Sequence, residues 1–149
     1  MTPADTSIEI RFDTKLPGMP LPHIWEQCVG SGHATLALRA DYQAQLTRCR
    51  TELGVRHVRF HGVLSDDMGT LMCDENRWLH SLVNADRIWD FLLSIGMRPF
   101  VELSFMPTTL SSGAATVFHY RANVTPPRAY GHWAALLRAL AENWTTRYV

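Results

Sequence analysis

Residues 55–62, Val-Arg-His-Val-Arg-Phe-His-Gly, place two arginines and two histidines in a stretch otherwise composed like a buried strand. Strand side chains alternate between faces. Val58, Phe60 and Gly62 therefore share one face, and His57, Arg59 and His61 share the other. An apolar face backed by a cationic, hydrogen-bonding one marks either a solvated sheet edge or a polar cavity. A guanidinium taken out of water needs a carboxylate partner. Residues 98–105, RPFVELSF, supply one. Alternation there sets Phe100, Glu102 and Ser104 inward and Val101, Leu103 and Phe105 outward, so Glu102 can meet Arg59. Two readings stand: an ion pair that joins two strands, or part of a binding site.

The remaining chemistry-bearing residues are less pointed. Asp66-Asp67 follows the cationic segment and reads as a loop-capping pair rather than an acid pair or metal site. His57 and His61 are separated by about 13 Å along a strand, too far for one metal ion. The cysteines, Cys28, Cys49 and Cys73, are odd in number, far apart and without a Cys-x-x-Cys, which argues against a disulfide framework or a zinc site. His80, His119 and His132 have no evident partners. Asn123-Val124-Thr125 and Asn143-Trp144-Thr145 match the glycosylation sequon and are read as chance matches.

The elements that must position these residues follow from periodicity and punctuation. Residues 8–12 alternate like a strand, and a loop with Pro17, Gly18, Pro20 and Pro22 follows. Residues 23–30 read as a second strand, broken by Gly30-Ser31-Gly32. Tyr42, Leu46, Cys49 and Leu53 define a helix over 41–53 that Gly54 stops. After the cationic strand, a loop runs to about Val83. Ile88, Phe91, Leu92 and Ile95 define a helix over 84–95 stopped by Gly96. A Ser/Thr/Gly-rich loop covers 106–125. Thr125 as N-cap and Pro126 at the first helical position open a helix to about 148, with Tyr130, Trp133, Leu137, Leu140 and Trp144 on one side.

Strands and helices alternate, with short turns after the helices and longer loops after the strands. That asymmetry predicts parallel βαβ units of an α/β fold, and matches a (β/α)8 barrel whose active face is built by the loops after the strands. Roughly three βα units are present. Residues 1–22 form a strand and lead-in, and 23–149 a partial barrel. At 149 residues with 46% apolar and 19% charged residues, the chain can bury a core. Fourteen basic residues balance fourteen acidic ones, which argues against nucleic acid or an anionic membrane surface as partner. The first residues lack the basic and apolar regions of a secretory signal, so the expected location is the cytoplasm.

Four ordered blocks, HIWEQCVGSG, VRHVRFHGVLSDDMG, RPFVELSFMP and NVTPPRAYGHW, resemble the amino-terminal part of glycoside hydrolase family 39, in its bacterial β-xylosidase branch. The resemblance runs from about His23 to the last residue. It implies a (β/α)8 barrel, hydrolysis of xylo-oligosaccharides or aryl xylosides with retention of configuration, and no cofactor or metal. The family's acid/base glutamate lies in an Asn-Glu-Pro motif ending the fourth strand, and its nucleophile ends the seventh. Neither motif position occurs here, so no residue of this chain is assigned a catalytic role and both glutamates are expected beyond Val149. The resemblance gives His61 a sugar hydroxyl contact and Arg59 a supporting place beside the nucleophile. His23, Trp25, Phe105 and Glu102 are further candidates for the pocket wall. The alternative is a non-catalytic sugar-binding protein that self-associates, because three strands cannot close a barrel.

Overall fold

In the computed structural model, which describes residues 8–75 and 77–149, β1 (Cys28–His33), α1 (Ala40–Leu53), β2 (His57–His61), a hairpin of β3 (Leu71–Asp74) and β4 (Arg77–His80), α2 (Val83–Ser94), β5 (Arg98–Val101), a second small hairpin of β6 (Thr116–Val117) and β7 (Ala122–Asn123), and α3 (Tyr130–Tyr148) follow in order. The main sheet is parallel, in the order β1-β2-β5, with His57 opposite Cys28 and Arg98, and Arg59 opposite Gly30 and Phe100. The protein is mixed α/β, and its described residues form an open sheet rather than a closed barrel.

The short turns behave as expected. Gly54 and Gly96 both take φ +72° after a helix, a conformation glycine enters without steric cost. The apolar face of β2 is buried against the helices: Val58 and Phe60 are buried, and the Phe60 ring meets Trp89 of α2 edge-on at 5.8 Å. Ile88, Leu92, Leu136 and Leu140 complete that layer, each burial worth roughly 1.5–3 kcal/mol. α3 docks on α2 through stacked Trp89 and Trp144 rings at 4.9 Å and an Asn143–Asp86 hydrogen bond of 2.7 Å. Arg147 and Tyr148 both donate to Asp90, at 2.8 and 2.9 Å. Burial, with Asp90 beside it, pushes the Tyr148 phenol up to about 12.

Several expectations are corrected. Residues 8–12 pair with no described strand, and Ile8, Ile10 and Phe12 are exposed. The stretch from His23 opens with a 3-10 turn, Ile24–Glu26, and β1 begins only at Cys28. Gly30-Ser31-Gly32 does not end that strand: Gly32 adopts φ +53° in an irregularity of register, and pairing resumes with His33 opposite His61. Both long loops contain hairpins. Thr125 is not an N-cap. Its hydroxyl donates to Asn123 Oδ1 at 2.7 Å, while residues 126–128 are tied to the preceding loop through Ser112 N–H to Pro126 O and Arg128 N–H to Leu110 O. The helix therefore starts at Tyr130, which is exposed. Asn123 is buried and donates to Gly113 O, so its sequon is not presented to solvent.

Candidate functional site

The carboxyl ends of the three parallel strands carry the polar groups. Arg59 and Glu102 form an ion pair at 2.5 Å. Ser104 Oγ donates to Glu102 Oε1 at 2.9 Å and accepts the Gly62 N–H at 3.1 Å, while Ser104 O accepts the Leu64 N–H at 2.8 Å. The expected meeting of Arg59 with Glu102 is thus observed, and Ser104 ties it to the end of β2.

His61 lies beside this pair. Phe105 approaches its ring edge-on at 5.6 Å, Phe118 stacks on it at 5.3 Å, and the Tyr120 hydroxyl hydrogen-bonds its Nε2. Behind it, His33 at the end of β1 is 8% exposed, stacks on Tyr120 at 4.1 Å, and bonds Asp67 Oδ2 through Nε2 at 2.6 Å. Gly62 makes this packing possible: at φ +83°, any Cβ would overlap the His33 imidazole. A cavity of about 450 Å³ opens among His33, Leu36, His61, Asp67, Phe118 and Tyr120. Among the described residues, no three His, Cys, Asp or Glu side chains converge as a metal site.

Burial, then the neighbouring His33, hold the His61 imidazole below the ordinary histidine range; Glu102 opposes this and Arg59 adds to it. At neutral pH His61 is therefore an uncharged hydrogen-bonding group. The two partners act with opposite sign. Arg59→Ala will raise the His61 titration midpoint and Glu102→Ala will lower it, as read from the imidazole proton resonances across pH. Equal midpoints in both variants would show that neither charge reaches the ring.

Of the sequence candidates, the structure brings together Arg59, His61, Glu102 and Phe105. Phe105 reaches His61 despite its outward parity, because the chain has left the strand and turns between Glu102 and Ser104, where the Ser104 N–H donates to Glu102 O. His23 and Trp25 are corrected. They stack on each other at 4.4 Å at the opposite, amino-terminal end of the sheet, where His23 and Arg56 bind Glu26 at 2.8 and 3.1 Å. Those two bonds lower the Glu26 carboxyl, His23 contributing more than Arg56. The Asp66-Asp67 pair divides: Asp66 caps the Thr108 N–H at 2.9 Å, and Asp67 binds His33. Sequence reasoning missed His33, Phe118 and Tyr120. The aromatic run Phe118-His119-Tyr120 inside a polar loop was the available signal.

A parallel sheet whose cationic, imidazole and aromatic side chains collect at the strand carboxyl ends is the arrangement of an α/β protein with its site on that face, and the chain belongs to a particular family of that kind: the model of glycosyl hydrolases family 39 matches residues 8–149. This bears out the resemblance of the four sequence blocks. Among particular relatives, the chain is 53% identical over 125 residues to a beta-xylosidase of Caldicellulosiruptor saccharolyticus, covering 83% of this chain and 26% of that protein. A Geobacillus stearothermophilus beta-xylosidase is 39% identical over 128 residues, covering 83% and 25%. The crystal structure of a monomeric beta-xylosidase from Caulobacter crescentus CB15 superposes with a TM-score of 0.81 at 31% identity, covering 87% of this chain and 26% of that one. A GH39 enzyme from Xanthomonas axonopodis pv. citri gives 0.80 at 32% identity, covering 88% and 26%. The chain spans about a quarter of the length of the curated relatives it matches.

Proposed function

We propose that this chain supplies the first three βα units of a (β/α)8 barrel and, with them, one side of the sugar pocket of a retaining β-xylosidase. The observation that carries the reading is the clustering of Arg59, Glu102, His61 and Phe105 at the carboxyl ends of the strands, where His61 also lines a cavity with His33, Phe118 and Tyr120, the face on which such barrels build their active sites. Retaining hydrolysis uses two carboxyl groups about 5–5.5 Å apart, one as nucleophile and one as acid then base. In this reading both belong to the three quarters of the relatives' length that the chain does not span. Glu102 is given neither role: it follows β5, the third parallel strand, whereas the resemblance puts the two catalytic glutamates at the ends of the fourth and seventh. Arg59, exposed at the carboxyl end of β2 beside His61, is placed to keep a neighbouring carboxylate ionised. Uncharged His61 hydrogen-bonds a hydroxyl of the xylose unit. Phe105 and Phe118 offer apolar walls to sugar C–H faces.

The test is a chimera in which this chain replaces the matching quarter of the Caldicellulosiruptor beta-xylosidase. Hydrolysis of an aryl β-xyloside with retention is the expected result. A folded, soluble chimera without activity would refute the reading. A second reading, a non-catalytic sugar binder that self-associates, is favoured by the open edge of β5 and the exposed Phe100 and Leu103, 55% and 46% accessible. A single monomeric species of this chain across a wide concentration range would remove it.

A further inference from the structure

The sugar contact assigned to His61 leaves open which ring nitrogen carries its proton, and the surrounding residues bear on that choice. Tyr120 reaches His61 from β-hairpin residues far along the chain and bonds its Nε2. The Tyr120 ring has little freedom. It stacks on His33 at 4.1 Å, on Phe118 at 5.3 Å, and lies within 18° of the plane of His61. His33 is fixed in turn. It is buried, and its Nε2 bonds Asp67 at 2.6 Å. An ionised carboxylate only accepts, so the His33 proton on that side lies on Nε2.

We infer that Tyr120, held in place by the Asp67–His33 pair, is a positioning residue that fixes His61 as the tautomer protonated on Nδ1. The phenol is the more acidic partner and an unprotonated imidazole nitrogen is the stronger acceptor, so the O–H donates to Nε2. The Tyr120 hydroxyl has no second hydrogen-bond partner among the described residues. The second nitrogen of neutral His61 then carries the hydrogen. Nδ1 has no hydrogen-bond partner among the described residues and is left to donate to a ligand hydroxyl. The bond that the other nitrogen makes sets which nitrogen serves the substrate. The identity of that ligand rests on the β-xylosidase reading; the tautomer does not. Burial keeps the two groups in the required states, lowering the His61 imidazole and raising the Tyr120 phenol.

The test is long-range proton–nitrogen correlation on the imidazoles of the uniformly labelled 149-residue chain at neutral pH. The expected result is His61 with a protonated Nδ1 and an unprotonated Nε2. Tyr120→Phe keeps the ring stack and removes the donor, and the single tautomer is then lost to a mixture. Asp67→Asn will give a partial loss of the same kind. A protonated Nε2 in the parent chain, or an unchanged tautomer in Tyr120→Phe, overturns the inference. The parent measurement needs no variant to fold. Addition of xylobiose to the chimera of the preceding section separates the two ideas: His61 signals that stay fixed there at saturating sugar count against the sugar reading, while the tautomer result stands by itself.

Discussion

Gly62→Ala will destabilise the chain by about 3 kcal/mol, the sum of roughly 1–2 kcal/mol for a Cβ in the left-handed region and a typical overpacking cost of about 1–3 kcal/mol. Gly62 sits at φ +83° and its missing side chain is the space that the His33 ring fills. Alanine must either push His33 off Asp67 or bend the end of β2. The change will show as a lower urea midpoint with the slope unchanged. Gly30→Ala is the internal control, because Gly30 has open space around its Cα and lies in the same sheet. If the two variants unfolded within about 0.5 kcal/mol of each other, the surface-substitution range, the packing argument for Gly62 would be wrong.

His61→Ala, made in the active chimera, will lower kcat/KM on an aryl β-xyloside by about 100-fold, the lower end of the loss seen when one donor to a transition state is removed. That is about 2.7 kcal/mol of transition-state stabilisation. The loss will fall chiefly on kcat, since a hydroxyl contact that strengthens as the oxocarbenium-like state develops contributes little to ground-state binding. Stability will change little, because His61 is only half-buried. A variant that kept parental kcat/KM would remove His61 from the sugar pocket.

Much of the framework was legible in the sequence because it obeys simple periods. The two helices closed by Gly54 and Gly96 end where a left-handed residue is needed. The parity of β2 separates Val58 and Phe60 from Arg59 and His61, and Glu102, one residue past the end of β5, still meets Arg59 as the alternation predicts. What alternation cannot carry is a residue beyond the end of a ladder. Phe105 lies past Val101 and turns inward. His33 lies past an irregular Gly-Ser-Gly, which reads as a break yet continues the strand. The hairpin strands β6 and β7 have two residues each, below any detectable period, so Phe118 and Tyr120 had no element to place them. His23 and Trp25 failed for the opposite reason. Residues 23–30 have the composition of a strand, yet the chain makes a 3-10 turn at Ile24–Glu26, and the turn sits at the far end of the sheet.

The stacking of Tyr120 over His33 and His61 joins parts of the chain that are synthesised at different times. Asp67 and His33 are 34 residues apart, and His61 and Tyr120 are 59 apart. Chain closure over the longer span costs about 0.5 kcal/mol more, a small thermodynamic difference. The temporal one is larger, because a ribosome delivers the amino end first. By the time Tyr120 is synthesised, β1, α1 and β2 are already available to pair, and Asp67 can already hold His33. The hairpin is therefore the last of these parts to be delivered, and the cavity has no third wall until it is made.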